Sequence, residues 1–222
     1  MLGGGLYSAD MLVSAHPHPV CHKRKRHAVF AMLGMVLSLS SAAVAALDVR
    51  TAKVNFTILG TILAVEDGDT LTLHGEGGGR FHIRLSDLDA PEVEHARNPY
   101  REQGHCQRAP RRAAGQAGGE AAREALSGRA PRKAAARAEC YTIDRYGRPI
   151  CHVFVGALNL NLEQLRDGWG MLLTKPAWIR DPASVAAEQS ARSARRGIWA
   201  GAKPRSPDHW RTQCWCRAEC AP

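Results

Sequence analysis

Residues 70–85, TLTLHGEGGGRFHIRL, decide the fold of this 222-residue chain. Large apolar side chains occupy every second position on either side of a glycine-rich run at 75–79. Alternation with a period of two predicts two strands that each bury one face, and the glycine run predicts the turn that joins them. If Ile83 and Leu85 face a core, Arg84 must project from the opposite face, beside His82.

A second hairpin is predicted further along the chain. Residues 137–143 and 149–155 flank the polar string from Asp144 to Arg148, which has the composition of a turn. Cys140 and Cys151 lie about equidistant from that turn, so a disulfide between the two strands is sterically reasonable.

Two helices are predicted after this hairpin. Leucines recur at helical spacing between residues 158 and 165, and Gly168 is the expected stop. The second helix begins at Asp181–Pro182, carries a stripe of small side chains formed by three alanines between 187 and 194, and ends before Gly197.

The stretch 107–138 has an unusual composition. It consists largely of Ala, Arg, Gly and Pro, and Leu126 is its only large aliphatic residue. We predict a solvated, partly disordered basic loop, although a short helix at 120–126 and phosphate binding by its arginines are alternatives. A compensated frameshift between about Gly104 and Glu139 is a further hypothesis. If the protein sequence is real, a poorly packed barrel with low activity is expected.

Length and charge restrict the architecture and the partners. The length fits one well-cored domain with tails rather than two full domains. The formal net charge of +9 favours a polyanionic partner such as nucleic acid or an anionic membrane. A basic balance is also common among secreted proteins, so charge alone does not decide the function.

The N-terminal segment has the pattern of a secretory signal. A basic cluster at 23–27 precedes an apolar or small-residue stretch at 28–46 that ends in Ala43-Val44-Ala45. This order predicts a signal peptide at about 23–45 and a secreted or periplasmic protein. The alternative is a membrane anchor, if the segment stays uncleaved.

Cysteine usage is consistent with export. Cys21 precedes the expected cleavage site, which leaves an even number of cysteines in an oxidising compartment: Cys106, Cys140, Cys151, Cys214, Cys216 and Cys220. A zinc site in the C-terminal trio is the weaker alternative. The predicted organisation is therefore an N-terminal extension with signal peptide at 1–45, a folded domain at 53–200 and a Cys-containing tail at 201–222.

Carboxylates and arginines cluster around the predicted strand ends. Asp69 and Asp89 are hard oxygen ligands of the kind that Ca²⁺ or Mg²⁺ requires. Glu92, three residues after Asp89, is placed to take a proton from a water molecule. Arg84 and Arg148 present planar guanidinium groups that suit the charge of a phosphoryl group. Each string alone is most often an ordinary turn, but the combination predicts hydrolysis of a phosphate ester.

These motifs resemble those of the staphylococcal nuclease (thermonuclease) family. The matching pieces are Asp67-Gly68-Asp69-Thr70, Ile83-Arg84-Leu85 followed by Asp89-Ala90-Pro91-Glu92, Asp144-Arg145-Tyr146-Gly147-Arg148, and Gly197-Ile198-Trp199. The similarity runs from about residue 60 to 199. In this order and combination the motifs are highly specific.

The resemblance implies a β-barrel with helices, an α+β fold with a five-stranded OB-fold-type barrel and about three α-helices. It also implies calcium-dependent hydrolysis of phosphodiester bonds in DNA and RNA, with 3′-phosphate products. The calcium ligands would be Asp69, Asp89 and the main-chain carbonyl of Ala90. The family commonly has threonine at the position of Ala90, but a main-chain ligand does not depend on the side chain.

The catalytic roles follow from the same resemblance. Glu92 would be the general base, and Arg84 and Arg148 would stabilise the charge on phosphorus. No stable protein partner is implied, and a monomer is the default expectation. The competing hypothesis is a non-catalytic OB-type module that binds nucleic acid or protein. Retention of all five key side chains favours the enzyme.

Overall fold

The computed structural model describes residues 52–201 and 203–220, so the predicted signal peptide lies outside the described residues. The strands are Phe56–Val65 (β1), Thr70–Gly75 (β2), Arg80–Leu85 (β3), Leu88–Asp89 (β4), Ala135–Ile143 (β5), Pro149–Val155 (β6), Leu158–Asn159 (β7) and Met171–Leu172 (β8). The α-helices are Pro99–Glu102 (α1), Gly119–Arg129 (α2), Leu160–Arg166 (α3), Ala183–Ser193 (α4) and Pro207–Trp210 (α5). Short 3-10 helices span Pro176–Trp178 and Gly197–Ala200, and a π-helix spans Arg211–Cys216. Among these elements, no helix has the length and the apolar run needed to cross a bilayer.

Five strands close into a barrel. They pair in the order β3-β2-β1-β5-β6, and a parallel pairing between β3 and β6 closes the ring. The other four pairings are antiparallel. Three helices of seven or more residues (α2, α3 and α4) accompany the barrel in the described part of the chain. The predicted five-stranded barrel with about three helices is confirmed.

The first hairpin has the predicted orientation. Leu71 and Leu73 of β2 and Ile83 and Leu85 of β3 are all buried in the barrel core. Because side chains alternate along a strand, Arg84 projects to the outer face of β3. The hairpin therefore places Arg84 at the rim of the barrel. The loop that precedes β2 and the loop that follows β4 lie at the same rim.

The prediction that 107–138 is a solvated loop is wrong. Residues 119–129 form α2, whose side chains Ala122 and Leu126 are fully buried, and residues 135–138 begin the barrel strand β5. Ala136, Ala138 and Cys140 alternate into the core from β5. The chain as written thus forms a packed helix followed by a core strand, which removes the physical ground for the frameshift hypothesis and for the expectation of a poorly packed barrel.

Close approach explains why this helix carries so few large side chains. A β-carbon added at Gly119 would lie 2.1 Å from the carbonyl oxygen of Glu92, and one added at Gly68 would lie 2.7 Å from Cβ of Ala122. The side chain of Gln164 fixes the contact by donating to the carbonyls of Gly68 (2.8 Å) and Ala122 (3.0 Å). Small residues let α2 pack directly on the loops of the barrel rim.

A substitution of Leu126 tests this packing. Leu126→Ala is expected to lower the free energy of unfolding by about 3 kcal/mol, because it leaves a cavity under α2. Urea denaturation measures the change, and Leu59→Ala is the matched control, since Leu59 is 47% exposed on β1. A loss for Leu126→Ala that does not exceed the control would show that α2 is not packed on the barrel.

Asp87 anchors the N-terminal end of α4 to the barrel. It is fully buried, with a φ of 72°, and its carboxylate accepts hydrogen bonds from the backbone N–H groups of Arg180 (2.8 Å) and Asp181 (3.0 Å). The hydroxyl of Ser184 donates to the same carboxylate at 2.8 Å, and Nε2 of His152 lies 3.1 Å from it. One buried side chain thus joins the loop between β3 and β4 to the segment that leads into α4.

The C-terminal segment forms a small cap, defined here as residues 206–216. The indole N–H groups of Trp210 and Trp215 both donate to the carbonyl of Ala114, at 3.3 and 2.8 Å. These buried tryptophans belong to a hydrophobic cluster distinct from the barrel core. The cap therefore packs on the loop between α1 and α2 through a small core of its own.

The cysteines of the described chain are paired. Cys140 and Cys151 are register partners on β5 and β6, with Cα atoms 4.0 Å apart. The other pairs are Cys106 with Cys216 and Cys214 with Cys220. Two of the three pairs thus involve the cap, and one joins it to the loop after α1.

Candidate active site

Two aspartates meet at one arginine on the barrel rim. Asp69 immediately precedes β2, Asp89 ends β4, and Arg84 lies on β3 between them in sequence. The Nη1 atom of Arg84 is 2.7 Å from Oδ1 of Asp69, and its Nη2 atom is 2.7 Å from Oδ1 of Asp89. The guanidinium therefore bridges the two carboxylates that the sequence predicted as metal ligands.

Backbone contacts fix Asp69. Its N–H donates to Oδ1 of Asp67 at 2.9 Å, and its carbonyl accepts from the N–H of Leu85 at 2.8 Å. Its own Oδ2 accepts from the N–H of Ala90 at 2.8 Å. The main chain of Ala90, the third predicted ligand, thus lies directly beside the Asp69 carboxylate.

Glu92 lies on the loop that leaves β4. Its backbone carbonyl accepts from the N–H of Gln116 at 2.8 Å, so the approach to α2 holds this loop in place. Burial, together with the charges of Asp69 and Asp89, raises the pKa of Glu92 to about 7 although Arg211 acts in the opposite direction. A carboxylate with a pKa near neutrality is suited to accept a proton.

Arg211 is a site residue that sequence reasoning missed. It comes from the cap, and its Nη1 and Nη2 atoms lie 3.0 and 2.6 Å from the two carboxylate oxygens of Asp89. Nη1 also donates to Oε1 of Glu92, and Nε donates to the hydroxyl of Tyr100 at 3.1 Å. The sequence offered no local signal for it except its place next to Trp210, which is buried.

The arginines determine which carboxylates ionise easily. Burial opposes ionisation of Asp89, but Arg84 and Arg211 outweigh it and hold the pKa of Asp89 below its ordinary value. Arg84 also favours ionisation of Asp67, but it does so less strongly than burial opposes it. Burial and the neighbouring charges of Asp69 and Glu92 raise the pKa of Asp67 well above its ordinary value.

Arg148 has a different partner. Its Nε atom is 2.8 Å from Oδ2 of Asp144, and its guanidinium lies 5.5 Å from the ring centroid of Tyr146. Arg148 nevertheless precedes by two residues Ile150, which pairs with Arg84 in the parallel ladder. Since paired strands lie about 5 Å apart, the turn that carries Arg148 lies next to the strand that carries Arg84. The structure thus groups five of the predicted site residues and leaves Arg148 at the turn beside them.

The donor atoms fit a hard divalent cation. Among residues 52–201 and 203–220, no three Asp, Glu, His or Cys side chains form a group that could hold a metal ion. A calcium site would therefore combine the oxygens of Asp69 and Asp89 with main-chain and water oxygens, a donor set that Ca²⁺ accepts. The carboxylates of Asp69 and Asp89 both contact the guanidinium of Arg84, so their oxygens can face one positive charge.

Comparison with known proteins identifies the family of this site. The family model described as staphylococcal nuclease homologue matches residues 82–201. The chain belongs to the staphylococcal nuclease family. The match to the staphylococcal nuclease model includes Arg84, Asp89, Glu92 and Arg148, and it runs through α2 and β5.

Relatives of this staphylococcal nuclease family member are distant. A Haemophilus influenzae protein named uncharacterized endonuclease is 28% identical over 152 residues, which cover 68% of this chain and 72% of that protein. A protein of Oryza sativa subsp. japonica named probable staphylococcal-like nuclease is 28% identical over 132 residues, which are 60% of this chain and 33% of the rice protein. An uncharacterized Bacillus anthracis protein is 25% identical over 153 residues, or 64% of this chain and 61% of its own length.

Proposed function

We propose that this protein is a calcium-dependent nuclease that hydrolyses phosphodiester bonds of DNA and RNA. The observation that supports this most directly is the convergence of Asp69, Asp89 and Arg84 at the barrel rim, with the base candidate Glu92 beside them. Membership of the staphylococcal nuclease family and the names of the Haemophilus and rice relatives support a nucleic acid substrate.

Asp69, Asp89 and the main-chain carbonyl of Ala90 would hold the calcium ion. When bound, calcium would supply positive charge beside the scissile phosphate and so favour the charge that develops there. The residues of the protein contribute orientation. The hydrogen bond from the Ala90 N–H to Asp69 keeps one carboxylate fixed relative to the other ligand segment.

Glu92 accepts a proton from the attacking water in this mechanism. Contacts with Gln116 and Gly119 hold its loop in place and so fix the backbone from which the carboxylate projects. General-base assistance of this kind contributes about 10²- to 10⁴-fold to a rate. The water attacks in line with the leaving 5′-oxygen, which gives the 3′-phosphate ends that the family resemblance implies.

The two arginines receive the charge that develops on the phosphoryl oxygens. Arg84 is already fixed between two carboxylates and needs only to redirect hydrogen bonds towards the phosphate. Arg148 is held by Asp144 at the turn and has to exchange that partner for the phosphate. Planar guanidinium groups offer paired donors to a phosphate, which lysine does not.

We also propose that the protein acts outside the cytoplasm, as a monomer without a stable protein partner. The signal-peptide pattern at about 23–45 supports export. The three disulfides of the structure fit an oxidising compartment. Uncleaved, the same N-terminal segment would give a membrane-anchored form.

Digestion of DNA tests the proposed function. The purified chain is expected to cleave single-stranded and duplex DNA in calcium and to lose that activity in excess chelator. Arg148→Ala is expected to lower the cleavage rate by about 100-fold or more, since donors to a developing charge contribute about that much.

Arg145→Ala is the matched control, because Arg145 is exposed on the same turn. The control should retain nearly the full rate. Cleavage that persists in chelator would contradict the calcium mechanism. If the protein binds DNA but does not cleave it with any divalent cation, the result would instead favour the non-catalytic binding module.

A further inference from the structure

The cap brings a positive charge into the proposed calcium site. The side chain of Arg211 is only 14% exposed, and its guanidinium contacts Asp89 through both terminal nitrogens. The same guanidinium pairs with Glu92. It therefore bonds to a proposed calcium ligand and to the proposed base at once, and it comes from outside the barrel.

Arginines occupy most of the hydrogen-bonding capacity of the Asp89 carboxylate, which has about four lone-pair positions. Oδ1 accepts from Arg84 and Arg211, and Oδ2 accepts from Arg211. A calcium ion at Asp89 would need a lone pair on one of these oxygens. It would also lie within a few ångströms of the Arg211 guanidinium, where two positive charges repel each other strongly in a poorly solvated site.

We propose that Arg211 is a built-in competitor of the divalent cation, so that the cation-free protein is closed by its own cap. Calcium reaches Asp89, and the attacking water reaches Glu92, only after Arg211 withdraws. The inference rests on the proposed function, because it concerns the same carboxylates. Its physical basis is that the carboxylates of Asp69, Asp89 and Glu92 repel one another unless a positive charge lies between them. Either Arg211 or the cation can supply that charge.

The structure of the cap suits this role. Trp210, which precedes Arg211, donates a hydrogen bond to the carbonyl of Ala114. Cys216, at the C-terminal end of the cap, is disulfide-bonded to Cys106. The cap backbone is thus fixed at both ends, so the arginine is presented at one place. Because the side chain is long and flexible, it can leave Asp89 while the backbone stays in position.

Calcium binding measured by titration calorimetry tests the competition without relying on cleavage. Arg211→Gln is expected to bind calcium at least about tenfold more tightly than the wild-type protein. The reason is that an apparent affinity falls in proportion to the fraction of molecules in the open state. Arg217→Gln is the matched control, because it removes one positive charge from an exposed residue just beyond the cap. The calcium affinity of Arg217→Gln should stay within about twofold of that of the wild-type protein, because the open fraction is unchanged.

A second variant preserves both the charge and the packing. Tyr100→Phe removes only the hydroxyl that accepts from Nε of Arg211, and it is expected to tighten calcium binding about threefold by loosening the closed state. This variant decides the question if Arg211→Gln does not fold. Calcium should also raise the melting temperature of Arg211→Gln more than that of the wild type.

The outcomes separate this inference from the proposed function. Equal calcium affinity in the wild type, Arg211→Gln and Tyr100→Phe overturns the competition and leaves a calcium-dependent nuclease intact. A tightening that Arg217→Gln reproduces also overturns it, since net charge then explains the effect. Absence of calcium binding in every variant overturns both the competition and the proposed cation.

Discussion

Replacement of Glu92 by glutamine is expected to lower the rate of calcium-dependent DNA cleavage by about 10³-fold, within the range that a general base contributes. Glutamine has nearly the same shape but cannot accept the proton of the attacking water. The initial rate at saturating calcium and substrate measures the loss. The fold should persist, because glutamine keeps the size of the Glu92 side chain and its amide oxygen can still accept a hydrogen bond from Arg211.

Glu94→Gln provides the comparison for this experiment. Glu94 lies two residues further along the same loop, but its side chain is 57% exposed and pairs with Arg112. The Glu94→Gln protein should cleave DNA at close to the wild-type rate. A Glu92→Gln protein that retains most of its activity would show that another group takes the proton, and the proposed mechanism would fail.

Replacement of Asp87 by asparagine is expected to lower the free energy of unfolding by about 2–3 kcal/mol, because it leaves a buried hydrogen-bond donor without an acceptor. Every group that faces the carboxylate is a donor or can act as one, including two backbone N–H groups and the hydroxyl of Ser184. An asparagine NH₂ group would therefore meet a donor whichever way the amide turns. Urea denaturation at pH 7 measures the loss.

The pH dependence of stability identifies the charge as the cause. Burial opposes ionisation of Asp87, but the neighbouring His152 and the hydrogen bonds from Ser86 and Ser184 outweigh it and hold the pKa of Asp87 below its ordinary value. A depressed pKa contributes stability that is present above the ordinary pKa of about 4 and lost as the pH falls through the lowered value. The difference between wild type and Asp87→Asn should therefore shrink on acidification.

Glu76→Gln is the control for this measurement, because Glu76 is an exposed carboxylate in the first hairpin loop. It should change the free energy of unfolding by less than about 0.5 kcal/mol, as is usual for surface positions. A difference between Asp87→Asn and wild type that stays constant down to low pH would contradict the assignment of the stabilisation to the ionised carboxylate.

The barrel and most of the site were predictable because they depend on local patterns. Alternation in residues 70–85 determined which side of β3 buries Ile83, and the outward position of Arg84 followed from it. Asp89 and Glu92 follow Arg84 at a short distance in sequence, so their convergence needed no long-range contact. The family resemblance then related Arg148 to them across more than 50 residues.

Helix α2 was predicted only as an alternative to a solvated loop, because hydrophobic periodicity depends on large side chains. Its buried face consists of Gly119, Ala122 and Leu126, and the first two are small because the helix touches the main chain of the barrel loops. Close packing of small residues stabilises by contact with little apolar area per residue. A composition rich in Ala, Gly and Arg therefore looked like a solvated loop.

Arg211 was missed for a different reason. It lies more than 100 residues from Asp89 in sequence, and its position depends on how the cap packs on the loop after α1. The cysteines of the tail allowed several pairings from sequence alone. The predicted domain boundary at residue 200 thus left out a side chain that lies among the acidic residues of the site.

The contact between Gly119 and Glu92 has a consequence for how this protein can vary. No side chain at position 119 can be accommodated unless the backbone of the Glu92 loop shifts. An alanine there would move the base while the barrel core stays assembled. Position 119 should consequently behave in a mutational scan like an active-site residue, although its own atoms have no part in the chemistry. Neutral drift in α2 is constrained by the geometry of the reaction as well as by folding.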